Sequence, residues 1–281
     1  MAIIKEERIG GQRLILGDCL EVMPLLGEVD MVCTSPPYDN LRDYGAGFDG
    51  VDLFKAIEHV AASLLPGGVC MWNVADATIN GSETGSSFKQ ALHAIECGLN
   101  LHDTMIAVKD NVNFPESVRY FSGHEYMFIL SKGAPKTFNP IEDRPNKCAG
   151  TKMHGTDRLR NGSTRQISGK GKEVKKVGMR FNWWRLTNNG PSNGHPAPMP
   201  FAIAYDQISS WSNAGDTIAD PFMGSGTTLV ACEKLGRQGI GIELDPDYFD
   251  IACKRVDEAN RQPDMFVAQP PAAPTQEGFD L

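Results

Sequence analysis

The chain has no long hydrophobic run. None of its apolar stretches approaches the roughly 18 residues that a membrane span needs. Charges enter the opening stretch, "MAIIKEERIG", too early for a secretory signal. CxxC pairs are also missing. Seven cysteines stand at positions 19, 33, 70, 97, 148, 232 and 253, an odd number, mostly in apolar runs. That argues against a disulfide framework or a zinc site and for small buried hydrophobes. No metal is expected, internal repeats are absent, and the pattern is that of a reduced, cytosolic protein.

Missing motifs narrow the nucleotide chemistry too. "IADPFMGSGTT", residues 218–228, joins a short apolar run to a helical one and carries Gly224 and Gly226. These let the backbone turn tightly and come close to a ligand. A dinucleotide fingerprint wants a third glycine near position 229, where Leu229 stands, and no Gly-Lys-Ser/Thr triplet of a P-loop follows. Glu243 ends "GIGIEL", where an acid accepts hydrogen bonds from two ribose hydroxyls. An acid-flanked loop such as "DPFMGSG" tolerates a cationic ligand better than a pyrophosphate. The pattern fits an adenosine-containing cofactor, S-adenosylmethionine; a tight turn with Glu243 merely exposed is the plain alternative.

What is there is globular: 281 residues, 41% hydrophobic, enough for one large α/β domain or a core with an insertion. From about 11 to 138, "RLILGD", "VDMVCT", "GVCMWNV", "HDTMIAVK" and "HEYMFILSK" read as strands. "DLFKAIEHVAASLL", ending at Pro66-Gly67-Gly68, and "SFKQALHAIECGL" read as helices. From about 195 to 260, "PFAIAYDQISSW", "GTTLVACEKLG" and "DPDYFDIACKRVDEAN" are helical, with "DTIAD" and "QGIGIEL" as strands. Alternating strand and helix implies a Rossmann-like α/β fold: a mostly parallel, seven-stranded-type twisted sheet with helices on both faces. The proline-rich stretch 261–281 reads as a disordered tail.

Charge is uneven. The net charge is −8, yet Arg144 to Arg185 holds 12 Lys or Arg and 2 Asp or Glu, a net of +10. The remainder holds 15 basic and 33 acidic residues, a net of −18. A basic element of this kind serves an acidic partner; a solvated loop is the bland alternative. Within it "NGSTRQISGKGKEVKK" reads as mobile without a partner, while "FNWWRL" carries two tryptophans that need cover. A core accounts for one of them, a partner surface for the other.

"CTSPPYDN", residues 33–40, directly follows a buried strand, and two prolines cannot continue a ladder. One chemistry that would use them is methylation of an exocyclic base amine. The amine lone pair is conjugated into the ring, and acceptors on the amino hydrogens localise it toward an incoming methyl group. The Ser35 side chain and the Pro36 carbonyl supply two acceptors, Pro36 and Pro37 hold the backbone rigid, and Tyr38 offers a stacking face for a flipped base.

"TSPPY" together with "DPFMGSGTT" resembles the exocyclic-amino DNA methyltransferases. The order, catalytic motif first and cofactor loop second with a basic segment between, resembles their β group, a circular permutation. The resemblance covers roughly residues 13–258. It implies that 1–138 forms the catalytic half, 139–194 the target-recognition region, and 195–260 the cofactor half of one domain. It implies catalytic Ser35, Pro36, Pro37 and Tyr38. It implies cofactor contacts from Asp18, Cys33, Ser35, Pro196, Asp220, Phe222, Gly224, Ser225, Gly226, Thr227, Glu243 and Leu244; His195 either joins them or caps the following helix. Contacts to double-stranded DNA are expected from Asn40, Arg119, His124, Arg165, Lys172, Lys175, Lys176, Arg180, Trp183, Trp184 and Arg185, and a homodimer from the family pattern and the tryptophan pair. Ser35 leans toward cytosine N4, but adenine N6 is the commoner product of bacterial enzymes of this class and is placed first.

No proline precedes any of the seven cysteines, which excludes a C5-cytosine enzyme. An RNA or protein amide methyltransferase fits the permuted order and basic insertion less well. An inactive DNA-binding regulator is the alternative of another class, and the intact motifs weigh against it. No PD…(D/E)xK nuclease unit is apparent.

Overall fold

The computed structural model describes residues 2–37, 51–109, 118–186 and 199–262. Tyr38, Asn40, His195, Pro196 and nearly all of the expected tail lie outside the described residues.

Nine strands form one sheet among the described residues. In chain order they are β1 (Ile3–Ile9), β2 (Gln12–Gly17), β3 (Val29–Thr34), β4 (Leu64–Val74), β5 (Asn100–Lys109), β6 (His124–Ser131), β7 (Trp183–Leu186), β8 (Thr217–Asp220) and β9 (Gln238–Glu243). Their spatial order is β1-β2-β9-β8-β3-β4-β6-β5-β7. Pairing is parallel from β2 through β9, β8 and β3 to β4, and again between β5 and β7; β1–β2, β4–β6 and β6–β5 are antiparallel. The sheet exceeds the seven strands expected because β1 and β7 extend its two edges.

Six helices are described: α1 (Cys19–Val22), α2 (Leu53–Ser63), α3 (Ser86–Glu96), α4 (Phe201–Trp211), α5 (Thr227–Leu235) and α6 (Pro246–Arg261). Helix α2 stops at Ser63, earlier than "AASLL" implied, and Leu64 already begins β4. Pro66 accounts for this, since it biases the residue before it toward extended backbone. Asp245 caps α6 by accepting the N–H groups of Asp247 and Tyr248 at 2.8 and 3.1 Å. Gly236, at φ 68, closes α5 in the left-handed conformation.

Side chains alternate across the sheet with the strand period of two. On β4, Cys70, Trp72 and Val74 pack toward α2 and α3 with Ile57, Val60, Ala91 and Ala94. Val69 and Met71 point the other way, toward Ile203, Ala204 and Ile208 of α4 and Ala231 of α5. Helix α6 covers β2 through Phe249, Ala252 and Val256 against Leu14 and Leu16. Each fully buried aliphatic side chain contributes roughly 1.5–3 kcal/mol relative to exposure. Both faces being covered keeps the central parallel strands largely apolar, and it leaves the carboxyl ends of those strands as the place for polar chemistry.

The basic segment is more ordered than its composition implied. Thr156–Arg158 pairs with Thr164–Gln166, and Arg144–Pro145 with Val177–Gly178. Positive-φ glycines supply the turns, with Gly162 at φ 83, Gly169 at φ 90 and Gly171 at φ 84.

Candidate active site

Four adjacent parallel strands, β2, β9, β8 and β3, end on the same edge of the sheet. Their registers align Leu16 with Glu243, Gly241 with Asp220, and Ala219 with Val32. Asp18, Glu243, Asp220 with the glycine loop, and Ser35 therefore stand side by side along one crevice, as ligand sites do in open α/β sheets.

The glycine loop is held from three sides. From above β9, Glu243 accepts the Gly224 N–H at 2.7 Å on one oxygen and the Leu244 and Asp245 N–H groups at 3.0 and 2.9 Å on the other. Burial pushes this carboxyl up to about 7, against the backbone donors that pull it down. From within the loop, Met223 N–H donates to Ile242 O at 2.9 Å, and Gly226, at φ 79, opens α5 in the left-handed conformation. From α6, the Arg255 guanidinium donates to the Ser225 carbonyl, to Ser225 Oγ at 2.8 Å and to Thr227 Oγ1 at 3.3 Å.

Asp220 does not line the crevice. It is 3% exposed, and its Oδ1 accepts the Thr34 hydroxyl at 2.6 Å and the Phe222 N–H at 3.1 Å. Burial raises its carboxyl to about 6, while Thr228 and Thr34 pull it down. It supports the loop from below. Cys33 is likewise a core residue, fully buried, with burial holding its thiol well above the usual range. Ser225 and Thr227 are buried beneath the loop against Arg255. These four were expected as cofactor contacts; their side chains face protein. Asp18, Ser35, Phe222, Gly224 and Leu244 keep exposed surface. Asp18 also caps α1, accepting the Leu20 N–H at 2.9 Å.

Beside Ser35 lies a polar chain that the sequence did not reveal. The Asn73 amide donates to Ser35 Oγ at 3.5 Å and to Glu125 Oε2 at 2.9 Å, and Glu125 is ion-paired with Lys109. Asn73 and Glu125 are buried, on β4 and β6. Trp72, next to Asn73, meets Phe222 of the loop edge-on, with centroids 6.1 Å apart.

The expected DNA contacts divide. Lys172, Lys176, Trp183 and Arg185 are exposed. Trp183 stacks with Phe181, centroids 5.9 Å apart, whereas Trp184 is half-buried and bonds Phe181 O through its indole N–H at 3.1 Å. Lys175 pairs with Glu142 at 3.3 Å and Arg165 with Asp157 at 3.5 Å, both on the surface. His124 is exposed and meets Tyr126 edge-on at 5.2 Å. Arg180, expected at the DNA, is committed within the protein: it donates to Asp143 and to Asp206 of α4, both of which raise its basicity, and lies over the Trp184 ring. Arg119 donates to Gly81 O at 2.6 Å and Thr78 Oγ1 at 3.3 Å, fastening the turn after β4. Both arginines are struts in this structure.

The crevice residues fit S-adenosylmethionine. A buried acid ends β9, a half-exposed acid follows β2, and a loop with two left-handed glycines separates them from Ser35. Among the described residues no group of three His, Cys, Asp or Glu side chains is placed to hold a metal ion, and no helix is long and apolar enough to cross a membrane.

Comparison with known proteins agrees with this arrangement. The family model for DNA methylases of N6 and N4 type matches residues 29–254. Orphan methyltransferase M.BamHII of Bacillus amyloliquefaciens is 43% identical over 250 residues, covering 86% of this chain and 90% of that protein. Type II methyltransferase M.SmaI of Serratia marcescens is 29% identical, covering 89% of this chain and 92% of its own. Among solved structures, the PvuII DNA methyltransferase (cytosine-N4-specific) superposes with a TM-score of 0.65 at 18% identity, covering 90% of this chain and 89% of that one. The M1.HpyAVI–SAM complex gives a TM-score of 0.60 at 23% identity, covering 88% and 99%. The chain belongs to the DNA methylase family and is an S-adenosylmethionine-dependent methyltransferase of exocyclic amines in DNA.

Proposed function

We propose that this enzyme methylates the N4 amine of cytosine in a specific duplex sequence, flipping the base against Ser35-Pro36-Pro37-Tyr38. The observation that carries this reading is the serine that directly follows β3, whose hydroxyl oxygen accepts from the Asn73 amide. Serine is the form that the sequence resemblance associates with cytosine enzymes, and the PvuII enzyme, which shares the fold, is cytosine-N4-specific. Adenine N6, the commoner product of bacterial enzymes of this class, is the second reading, since serine and aspartate both supply an acceptor oxygen.

S-adenosylmethionine supplies an electrophilic methyl group on its sulfonium. Ser35 Oγ and the Pro36 carbonyl accept the amino hydrogens of the base, and no covalent enzyme intermediate forms. Asp18 and Glu243 hold the adenosine end; Phe222 and Gly224 line the approach to Ser35. Residues 1–138 and 195–260 are two halves of one domain in the permuted order, and 139–194 reads the DNA sequence. Lys172, Lys176, Arg185 and Trp183 are its DNA-facing groups. A homodimer and a cytoplasmic location complete the reading. The exposed Phe181–Trp183 pair supports the first, to be checked by sedimentation, and seven free cysteines support the second.

Nucleoside mass spectrometry on DNA from cells expressing the chain tests the base. N4-methylcytosine without N6-methyladenine is expected. The reverse pattern overturns the base assignment, and neither product on any DNA revives the regulator reading.

A further inference from the structure

Ser35 and the glycine loop must come together closely, since transfer requires reacting atoms about 3–3.5 Å apart. They leave the sheet on neighbouring strands, β3 and β8. The backbone register between those strands runs through Met31–Ile218 and Val32–Ala219. Beyond it the strands part, one toward Ser35 and the other toward Phe222. At that fork the Thr34 hydroxyl reaches Asp220 Oδ1 at 2.6 Å. The same oxygen takes the Phe222 N–H at 3.1 Å, so one carboxylate is bound both to the residue before Ser35 and to the second residue of the loop. Thr228, in the first turn of α5, donates to the Cys33 carbonyl at 3.2 Å and also stands against Asp220, at the same fork. Thr34 is fully buried and its strand partner on β4 is Trp72, whose ring meets Phe222.

We propose that Thr34 is a positioning residue for methyl transfer: its hydroxyl, bonded to Asp220, fixes the gap between Ser35 and the cofactor loop. Thr34 touches neither base nor cofactor. It acts through the two elements it joins, and a displacement of about 1 Å between them costs about 10²-fold in rate. The inference rests on Ser35 and the glycine loop being the two sides of the reaction. Ser35→Ala tests that premise separately: it should lose turnover while keeping its affinity for S-adenosylmethionine, whatever Thr34 does.

Thr34→Val keeps the shape and removes the hydroxyl; Thr34→Ser keeps the hydroxyl. The expected result for Thr34→Val is a single-turnover rate lower by about 10- to 100-fold, with KM for S-adenosylmethionine and for DNA within about twofold of wild type. Thr34→Ser should restore most of the rate. Should Thr34→Val fail to fold, Thr34→Ala carries the same expected split. The idea is overturned by an unchanged rate in a folded hydroxyl-free variant. It is equally overturned by KM and rate failing together, which would make Thr34 part of a binding surface, or by a folded Thr34→Ser that stays as slow as Thr34→Val. A purely structural role would lower the melting temperature and leave the rate at low temperature unmoved.

Discussion

Glu243 Oε2 accepts the N–H of Gly224 at 2.7 Å, so the acid that ends β9 is tied to the loop beside it. Burial, the larger influence, pushes this carboxyl up to about 7. Ribose hydroxyls donate best to the ionised form, so ligand binding and loss of that proton favour each other. Below about 7 the proton must leave before the hydroxyls are held. Affinity for S-adenosylhomocysteine should therefore rise with pH toward 8 and level off above, by up to about tenfold per pH unit on the acid side. Glu243→Gln should bind more weakly and lose the step. Calorimetric titration at several pH values checks this; a flat wild-type profile would remove Glu243 from the ribose site.

Arg255 is a second support for the loop. Its guanidinium is mostly buried and donates to Ser225 and Thr227. Arg255→Met should leave those acceptors short of a charged donor, at a cost of about 1.5–3 kcal/mol. Denaturant unfolding measures that loss, and S-adenosylhomocysteine titration should show weaker binding alongside it.

Gly241 on β9 faces the loop's own methionine. A Cβ there would lie 2.3 Å from Met223 Sδ and 2.9 Å from Leu229 Cδ1. Gly241→Ala should overpack this site by about 1–3 kcal/mol. Because Met223 precedes Gly224, cofactor affinity should fall too. An unfolding midpoint equal to wild type would mean that Met223 has room to move aside.

Lys176 and Arg180 differ in how their charges are committed. Lys176 is exposed, whereas Arg180 is held between Asp143 and Asp206. Lys176→Gln should weaken binding to all DNA sequences and reduce the salt slope by about 1. Arg180→Gln should leave that slope intact while loosening the recognition segment from α4, seen as faster proteolysis near 139–186. DNA affinity measured across a salt series separates the two.

Much of this was legible in the sequence where a signal is local. The strand "VDMVCT" and the helix "GTTLVACEKLG" carry their periodicity and end signals within a few residues, and they fold where expected. Strand β1 escaped because "IIKEERI" shows neither a clean alternation nor a buried face; it forms by pairing with β2. Order in the basic segment escaped because it comes from glycine turns and short ladders rather than from an apolar core. Within the site, the motifs announced Ser35, Gly224 and Glu243. Their supports stayed hidden because each is a contact between distant positions: Thr34 with Asp220 across 186 residues, Asn73 with Glu125 across 52, Arg255 with Ser225 across 30. The positive charge of Arg180 reads as a DNA contact since nothing local marks Asp206 as its partner.

The sheet order also bears on how the enzyme comes into being. Strands β8 and β9, made late, fill the space between β2 and β3, made early. Until the ribosome has delivered Glu243, β2 and β3 each carry one bare edge in the nascent chain, the kind of edge that invites mispairing. Pairing over so long a separation is entropically slow to close. The pocket cannot exist in any shorter nascent form, so methylation begins only after the last sheet strand has slotted into the middle.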